Sequence, residues 1–261
     1  MKIETKEKTK LQHILETKEL GVKPYDSIIL LIKYYKNQGM NDEEIYDTID
    51  NFILNSDYKE YNTVVDEENI RKKIKEVKKG EIKDVEEIYI YKEEIDCIKE
   101  VTKVQKQKIL FSYLVFLKIL KVKNNNKKNI ISSDKDIDVF NEANTSMTTE
   151  KRDLLIKELA SLGYFKKITL KDKKNNRPVR CYELLYIKEE TPDNPVEMVV
   201  DDFRELGLQW LEYCGDKKIK RCEVCGKRYK ITGKAGRPPK YCKECDKKIK
   251  YLQRESSRIK K

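Results

Sequence analysis

The chain is 261 residues long, 38% hydrophobic and 39% charged, with 57 Lys or Arg against 46 Asp or Glu and a formal charge of +11. That length and composition suit two or three packed units under a very polar surface. One histidine excludes a His-based triad or His-rich metal site, no apolar run approaches the ~20 residues of a membrane span, and the charged MKIETKEKTK start lacks a secretory signal's apolar stretch, so a cytoplasmic protein is expected.

Thr9 to Leu20 is expected as a short helix stopped by Gly21. Pro24 opens a second, Tyr25 to Gln38, whose Ile28, Ile29, Leu31, Ile32 and Tyr35 make a broad apolar face. Asn41 followed by Asp42, Glu43 and Glu44 is an N-cap with acids in the first turn, and Ile45, Ile49, Phe52 and Ile53 continue at helical spacing. A fourth helix is expected from Asp66 to Lys79. Residues 1–90 therefore read as a helical N-terminal domain. His13 has no Cys or acidic partner in a ligand pattern and reads as a surface or capping residue.

Gln105 to Val122 carries apolar residues around most of its circumference and is expected as a buried helix. After the polar turn Lys123 to Asn129 come a short strand at Ile130 and Ile131, a short helix around Asp136 to Ala143, and a helix capped by Thr148 or Thr149 that ends at Gly163. Two extended runs follow, Phe165 to Lys171 and Val179 to Ile187, joined by a polar, basic turn. Cys97, Cys181 and Cys214 read as small core residues.

This order, with TTEKRDLLIKELASLGYFKKI as its centre, resembles the winged helix-turn-helix superfamily over residues 91–190. The resemblance implies a recognition helix presenting Thr148, Thr149, Lys151 and Arg152 to base edges. It also implies a wing whose Lys171, Lys173, Lys174, Arg177 and Arg180 reach phosphates or a minor groove. Winged helices also dock proteins, and that alternative stays open.

Thr191-Pro192-Asp193-Asn194-Pro195 is the clearest linker signal, so 191–214 is expected as a linker strand and helix. Val196 to Val200 reads as the strand, and Asp201-Asp202 as the cap of a helix from Phe203 to Tyr213. Two Cys-x-x-Cys pairs then follow, Cys222/Cys225 and Cys242/Cys245, separated by sixteen residues. Two such knuckles complete a tetrahedral thiolate site, and this spacing and ligand softness point to structural Zn2+. Disulfides require an oxidising compartment that nothing in the chain suggests.

The run RCEVCGKRYKITGKAGRPPKYCKEC followed by a basic helix resembles small treble-clef-type zinc fingers, among them bacterial CxxCG…GRPxxYCxxxC fingers. Those commonly end in Cys-x3-Cys where this chain has Cys-x2-Cys, which leaves ribbon and treble clef both open. The resemblance implies a nucleic-acid or protein-docking module. Gly236-Arg237-Pro238 resembles the core of an AT-hook, which implies a guanidinium in a narrow minor groove; the alternative is a turn before Tyr241-Cys242.

Charge is distributed very unevenly. Gly215 to Lys261 holds eighteen Lys or Arg against five Asp or Glu, while the preceding 214 residues hold 39 against 41. Such focused charge attracts a polyanion. No phosphate-binding loop or nucleophile elbow is present, so no enzymatic activity is expected; a carboxylate-based nuclease stays open as the alternative, since periodicity does not choose among 46 Asp and Glu.

The expected fold is mainly α within the α+β class: an N-terminal helical domain, a central winged helix, and a C-terminal zinc finger (215–261) with a basic helical tail. The expected function is binding of double-stranded DNA by a transcriptional regulator or replication factor of a bacterium, phage or mobile element. Finger and tail contacts are expected from Arg237, Lys240, Lys247, Lys248 and Arg254. The alternatives are a protein-interaction adaptor, for a polymerase, replisome or host-defence partner or a second copy, and an RNA-binding protein. Neither a membrane nor a small-molecule substrate is expected.

Overall fold

The computed structural model describes residues 5–124, 128–171, 177–189, 191–231 and 239–259. The chain is mainly α within the α+β class and divides into two compact units, one of Glu4–Glu86 and one built on Glu87–Lys261. No helix among the described residues is long and apolar enough to cross a membrane.

The first unit holds α1 (Glu7–Thr17), α2 (Pro24–Asn37), α3 (Asp42–Leu54) and α4 (Thr63–Glu76). Helix α1 stops three residues before the expected Leu20, because Lys18 turns left-handed at φ 60° and its N–H still reaches Ile14 O at 2.9 Å. Leu20 drops into the core instead, its N–H bonded to Asp57 Oδ1 at 2.7 Å. Helix α3 starts on the reciprocal cap its sequence encodes. The Asn41 side chain accepts from the Glu43 and Glu44 N–H groups at 3.0 Å, and Glu44 accepts from the Asn41 N–H at 2.8 Å. Helix α4 begins at Thr63 rather than Asp66, because Asn62 is the residue whose side chain caps it. The apolar faces close on one core around Ile14, Ile28, Leu31, Ile45, Ile49 and Ile70. His13 is exposed, 3.4 Å from the Glu19 carboxylate.

The second unit is organised around α6 (Val104–Asn124), in which every residue from Ile109 to Leu117 is buried. Around it lie β1 (Ile88–Tyr91), α5 (Lys92–Lys99), β2 (Ile130–Ser132), α7 (Asp136–Glu142), α8 (Thr149–Ser161), β3 (Phe165–Lys171) and β4 (Pro178–Leu184). Strands β2, β4 and β3 form an antiparallel sheet in that order, with Ile131 opposite Tyr182 and Phe165 opposite Leu184. Tyr113 of α6 packs edge-on against Phe140, Phe165 and Tyr182, joining the sheet to the helices.

The stretch after Pro195 is part of this core. Strand β5 (Val196–Val200) pairs antiparallel with β1, and Trp210 of α9 (Leu206–Tyr213) is fully buried against Phe111. Its indole N–H donates to Gln107 Oε1 at 3.2 Å. Gly207 is required by close approach: a β-carbon there would lie 2.0 Å from Ala143 O. Helix α9 begins at Leu206 and not at Phe203, because Asp202 binds the Arg204 side chain and faces Arg228 instead of capping. Cys181 is buried and Cys97 half-buried, but Cys214 is exposed rather than in the core, being the residue that ends α9.

Candidate metal centre and basic helix

Strands β6 (Ile219–Arg221) and β7 (Arg228–Lys230) form a hairpin whose turn is the first cysteine pair. Cys222 O accepts the Gly226 N–H at 2.9 Å, and Cys222 N–H donates to Lys227 O at 3.0 Å. Gly226 closes the knuckle at φ +69°, a conformation a β-carbon disfavours. The second pair is carried by a helix: Cys242 directly precedes α10 (Lys243–Ile259) and Cys245 lies in its first turn, with Asp246 N–H bonded to Cys242 O at 2.9 Å. The halves are tied together by Glu223 N–H donating to Lys240 O at 3.2 Å and by the Tyr229 hydroxyl donating to Pro239 O.

These elements bring all four predicted ligands together. The sulfurs of Cys222, Cys225, Cys242 and Cys245 lie within 4.8 Å of one another, and those of Cys225 and Cys242 are 3.8 Å apart. A tetrahedron of metal–sulfur bonds about 2.3 Å long has sulfur–sulfur edges of about 3.8 Å. The spacing therefore fits a metal ion and is far too long for disulfides, and all four thiols are free. Cys222, Cys242 and Cys245 are buried, Cys225 half-buried. Burial raises the Cys222 thiol, but hydrogen bonds from the N–H groups of Cys242, Cys225 and Val224 outweigh it and hold the thiol down at about 6. Cys245 is pushed the other way, first by its hydrogen bond with Cys225. A metal-free cluster thus shares protons that a cation displaces.

The cluster is fastened to the rest of its unit by a charged clamp that periodicity gave no sign of. Arg228 of β7 is 3% exposed and donates to Glu212 of α9 at 2.7 Å, with Asp202 at 3.6 Å. Arg221 also reaches Glu212 at 3.2 Å, and Lys227 pairs with Glu205 at 2.8 Å. Arg204 grips Asp202 with two hydrogen bonds, at 2.8 and 3.0 Å, and donates to Cys225 O at 3.2 Å, next to a ligand sulfur. Burial raises the Glu212 carboxyl, but the hydrogen bonds from Arg228 and Arg221 hold it below the usual carboxylate range.

The predicted nucleic-acid residues fall into three groups. Thr148 caps α8, Thr149 accepts from Arg152 at 3.0 Å, and Lys151 is exposed beside them. Arg177 is exposed directly before β4, and Arg180 is 3.5 Å from Asp153, whereas Lys173, Lys174 and Arg237 lie outside the described residues. Lys240 pairs with Glu223 at 3.2 Å. Lys247, Lys248 and Arg254 are exposed along α10 and have no acidic partner among the described residues.

No protein-family model, curated protein or solved structure matches this chain.

Proposed function

We propose that the protein is a non-catalytic, zinc-containing DNA-binding protein of regulatory or replicative function. The observation that carries this reading is the confinement of the positive excess to the four-cysteine segment, with Lys247, Lys248 and Arg254 on α10 lacking an acidic partner among the described residues. Cations left free of carboxylates stay available to displace counterions from a phosphate backbone. Zinc is the metal favoured by four thiolates in a closed, largely buried shell, and such a site has a structural role. A knuckle on a β-turn followed by a pair that opens a helix supports the treble clef over the two-knuckle ribbon. The order α6, β2, α7, α8, β3, β4 with strands arranged β2-β4-β3 supports the winged-helix reading of residues 91–190.

A second reading is favoured by one specific feature of α8. Its N-terminal half mixes Glu150 and Asp153 with Lys151 and Arg152, and Leu154 on the same helix is 63% exposed. A neutral surface with an exposed leucine suits protein docking better than phosphate contact. In that case α8 grips a protein while the C-terminal segment holds the nucleic acid.

The test is a mobility-shift titration of zinc-loaded protein on a 20-bp duplex across a salt series. Binding with a log–log slope near −5, for about six neutralised phosphates, is expected. Absence of duplex binding at low salt, or a slope near zero, overturns the proposal.

A further inference from the structure

The sixteen tyrosines of this chain are almost all engaged. The hydroxyls of Tyr25, Tyr61, Tyr89, Tyr113, Tyr182 and Tyr213 donate to carboxylates, and those of Tyr164, Tyr186 and Tyr229 to backbone carbonyls. Of the others, all but one stack on a ring, lie under a cation or, like Tyr241, pack on the cysteine cluster. Tyr251 stands apart. It is 62% exposed, in the middle of α10, and takes part in no hydrogen bond, ring contact or cation contact among the described residues.

Its position on the helix is equally specific. Cys245, Ile249 and Leu252 follow one another at four and three residues and share the face that continues from the metal cluster. Tyr251 is rotated about 100° from Leu252, at 3.6 residues per turn, and so leaves that face. Its neighbours one turn away are Lys247, Lys248, Arg254 and Glu255, three of them exposed cations without an acidic partner among the described residues. Tyr251 therefore contributes nothing visible to the fold, and cations able to hold a phosphate strand surround it.

We infer that the Tyr251 face of α10 is a binding site for an unpaired nucleotide, with Lys247, Lys248 and Arg254 holding the phosphates and the Tyr251 ring stacking on the base. A base inside a duplex has its faces covered by its neighbours, whereas an unpaired base offers a free face to an aromatic ring. This inference rests on the nucleic-acid reading above and narrows it. The α10 cations that carry that reading lie where the duplex gives way to unpaired bases beside Tyr251, so the preferred substrate is a duplex with an adjoining single strand.

The experiment uses full-length, zinc-loaded protein and four labelled probes: a blunt 20-bp duplex, the same duplex with a 12-nucleotide oligo(dT) extension, oligo(dT) alone and oligo(U) alone. The wild type is expected to prefer the extended duplex to the blunt one. Tyr251→Ala is expected to weaken binding to the extended duplex by about tenfold, the scale of one lost base–aromatic stack, with the salt slope unchanged. Tyr251→Phe, which keeps the ring, is expected to restore it. Lys247→Ala is expected to flatten the slope on oligo(dT) by about 0.7, one single-strand phosphate. A larger Tyr251→Ala loss on oligo(U) than on oligo(dT) would support the site and name RNA as its source. Equal losses on blunt and extended duplexes, or no loss on any probe, overturn the inference. Loss of self-association in Tyr251→Ala with all four affinities unchanged also overturns it and makes the face a protein contact. Failure of the wild type to bind the blunt duplex while it binds single strands in a Tyr251-dependent way removes the duplex reading and leaves this one standing. Unchanged zinc content and helicity in Tyr251→Ala confirm that the readout is contact rather than folding.

Discussion

In the helical unit Glu4–Glu86, thirteen apolar side chains are buried against one another, whereas among the described residues of the four-cysteine segment the buried apolar groups are Ile219 and three cysteines, with Cys225, Tyr229 and Tyr241 packed around the cysteines. Apolar burial contributes about 25 cal/mol per Å2, so the first region draws far more stability from this source than the second. A stretch of roughly 40 residues with so little core usually depends on a metal, a disulfide or docking. Here two such aids coincide: thiolates arranged for a cation, and a clamp to α9 and residues 202–205 through Arg204, Arg221, Lys227 and Arg228. The contrast predicts that the two regions respond to different variables, the first to core packing and the second to metal.

The sharpest way to break that contrast is to remove a ligand. Structural zinc in such sites contributes apparent binding free energy of about 10–16 kcal/mol that is also folding free energy. Metal analysis is expected to find one zinc per chain, and Cys225→Ser is expected to lose it. Hydrogen exchange should then show protection lost in β6, β7 and the first turns of α10, with α1 to α4 unchanged. Equal loss of protection in α1 to α4 would make the two regions a single cooperative system.

Next in size is the clamp. Arg228→Ala removes the buried cation that faces Glu212 and Asp202, which keep Arg221 and Arg204 as partners, so the cost is expected to fall at or below about 3–5 kcal/mol, that of breaking a fully buried pair. Urea unfolding is expected to show that loss while zinc still binds. A cost near zero would mean that the metal alone holds the segment. The counterpart in the helical unit is Ile49→Ala, at a fully buried position, where deletion of the side chain costs about 2–5 kcal/mol. That cost should be the same with and without a chelator.

Legibility from sequence followed the same divide. The capped start of α3, the all-round apolar α6 and the two cysteine pairs are local patterns, and each is formed by neighbours in the chain. The pairing of β5 with β1 joins residues more than a hundred positions apart, and no local period encodes it. Asp201 and Asp202 before an apolar run read as a cap, but Asp202 had stronger partners in Arg204 and Arg228, the latter supplied by a strand 26 positions further on. The clamp escaped for the same reason, since its arginines and carboxylates stand among many others of the same type. Lys18 shows a smaller limit: a left-handed residue ended α1 where only Gly21 was expected to.

The smallest expected effect compares two carboxylates of the second unit. Hydrogen bonds from Arg228 and Arg221 hold Glu212 below its usual range against the effect of burial, so it adds stability that is lost as pH falls. Asp136 at the start of α7 is the reverse case. Burial raises its carboxyl to about 6, and the Tyr113 and Tyr182 hydroxyls, at 2.6 and 3.2 Å, only partly oppose the rise. Below an unfolded-state value near 3.9 both states hold the proton, and the group contributes no pH dependence. Between that value and about 6 the unfolded chain has released its proton while the folded chain keeps it, so stability falls as pH rises; above about 6 it levels off. Holding the proton that much more tightly in the folded chain costs roughly 2–3 kcal/mol of stability at neutral pH. Asp136→Asn keeps a carbonyl acceptor for one tyrosine and cannot ionise. Urea midpoints of the wild type and the variant, measured from about pH 4 to about pH 7, should therefore move in the variant's favour as pH rises, with most of the change complete by about pH 6.5. A constant difference across that range would mean that Asp136 ionises as freely in the folded chain as in the unfolded one, and that its two tyrosine hydroxyls fully offset its burial.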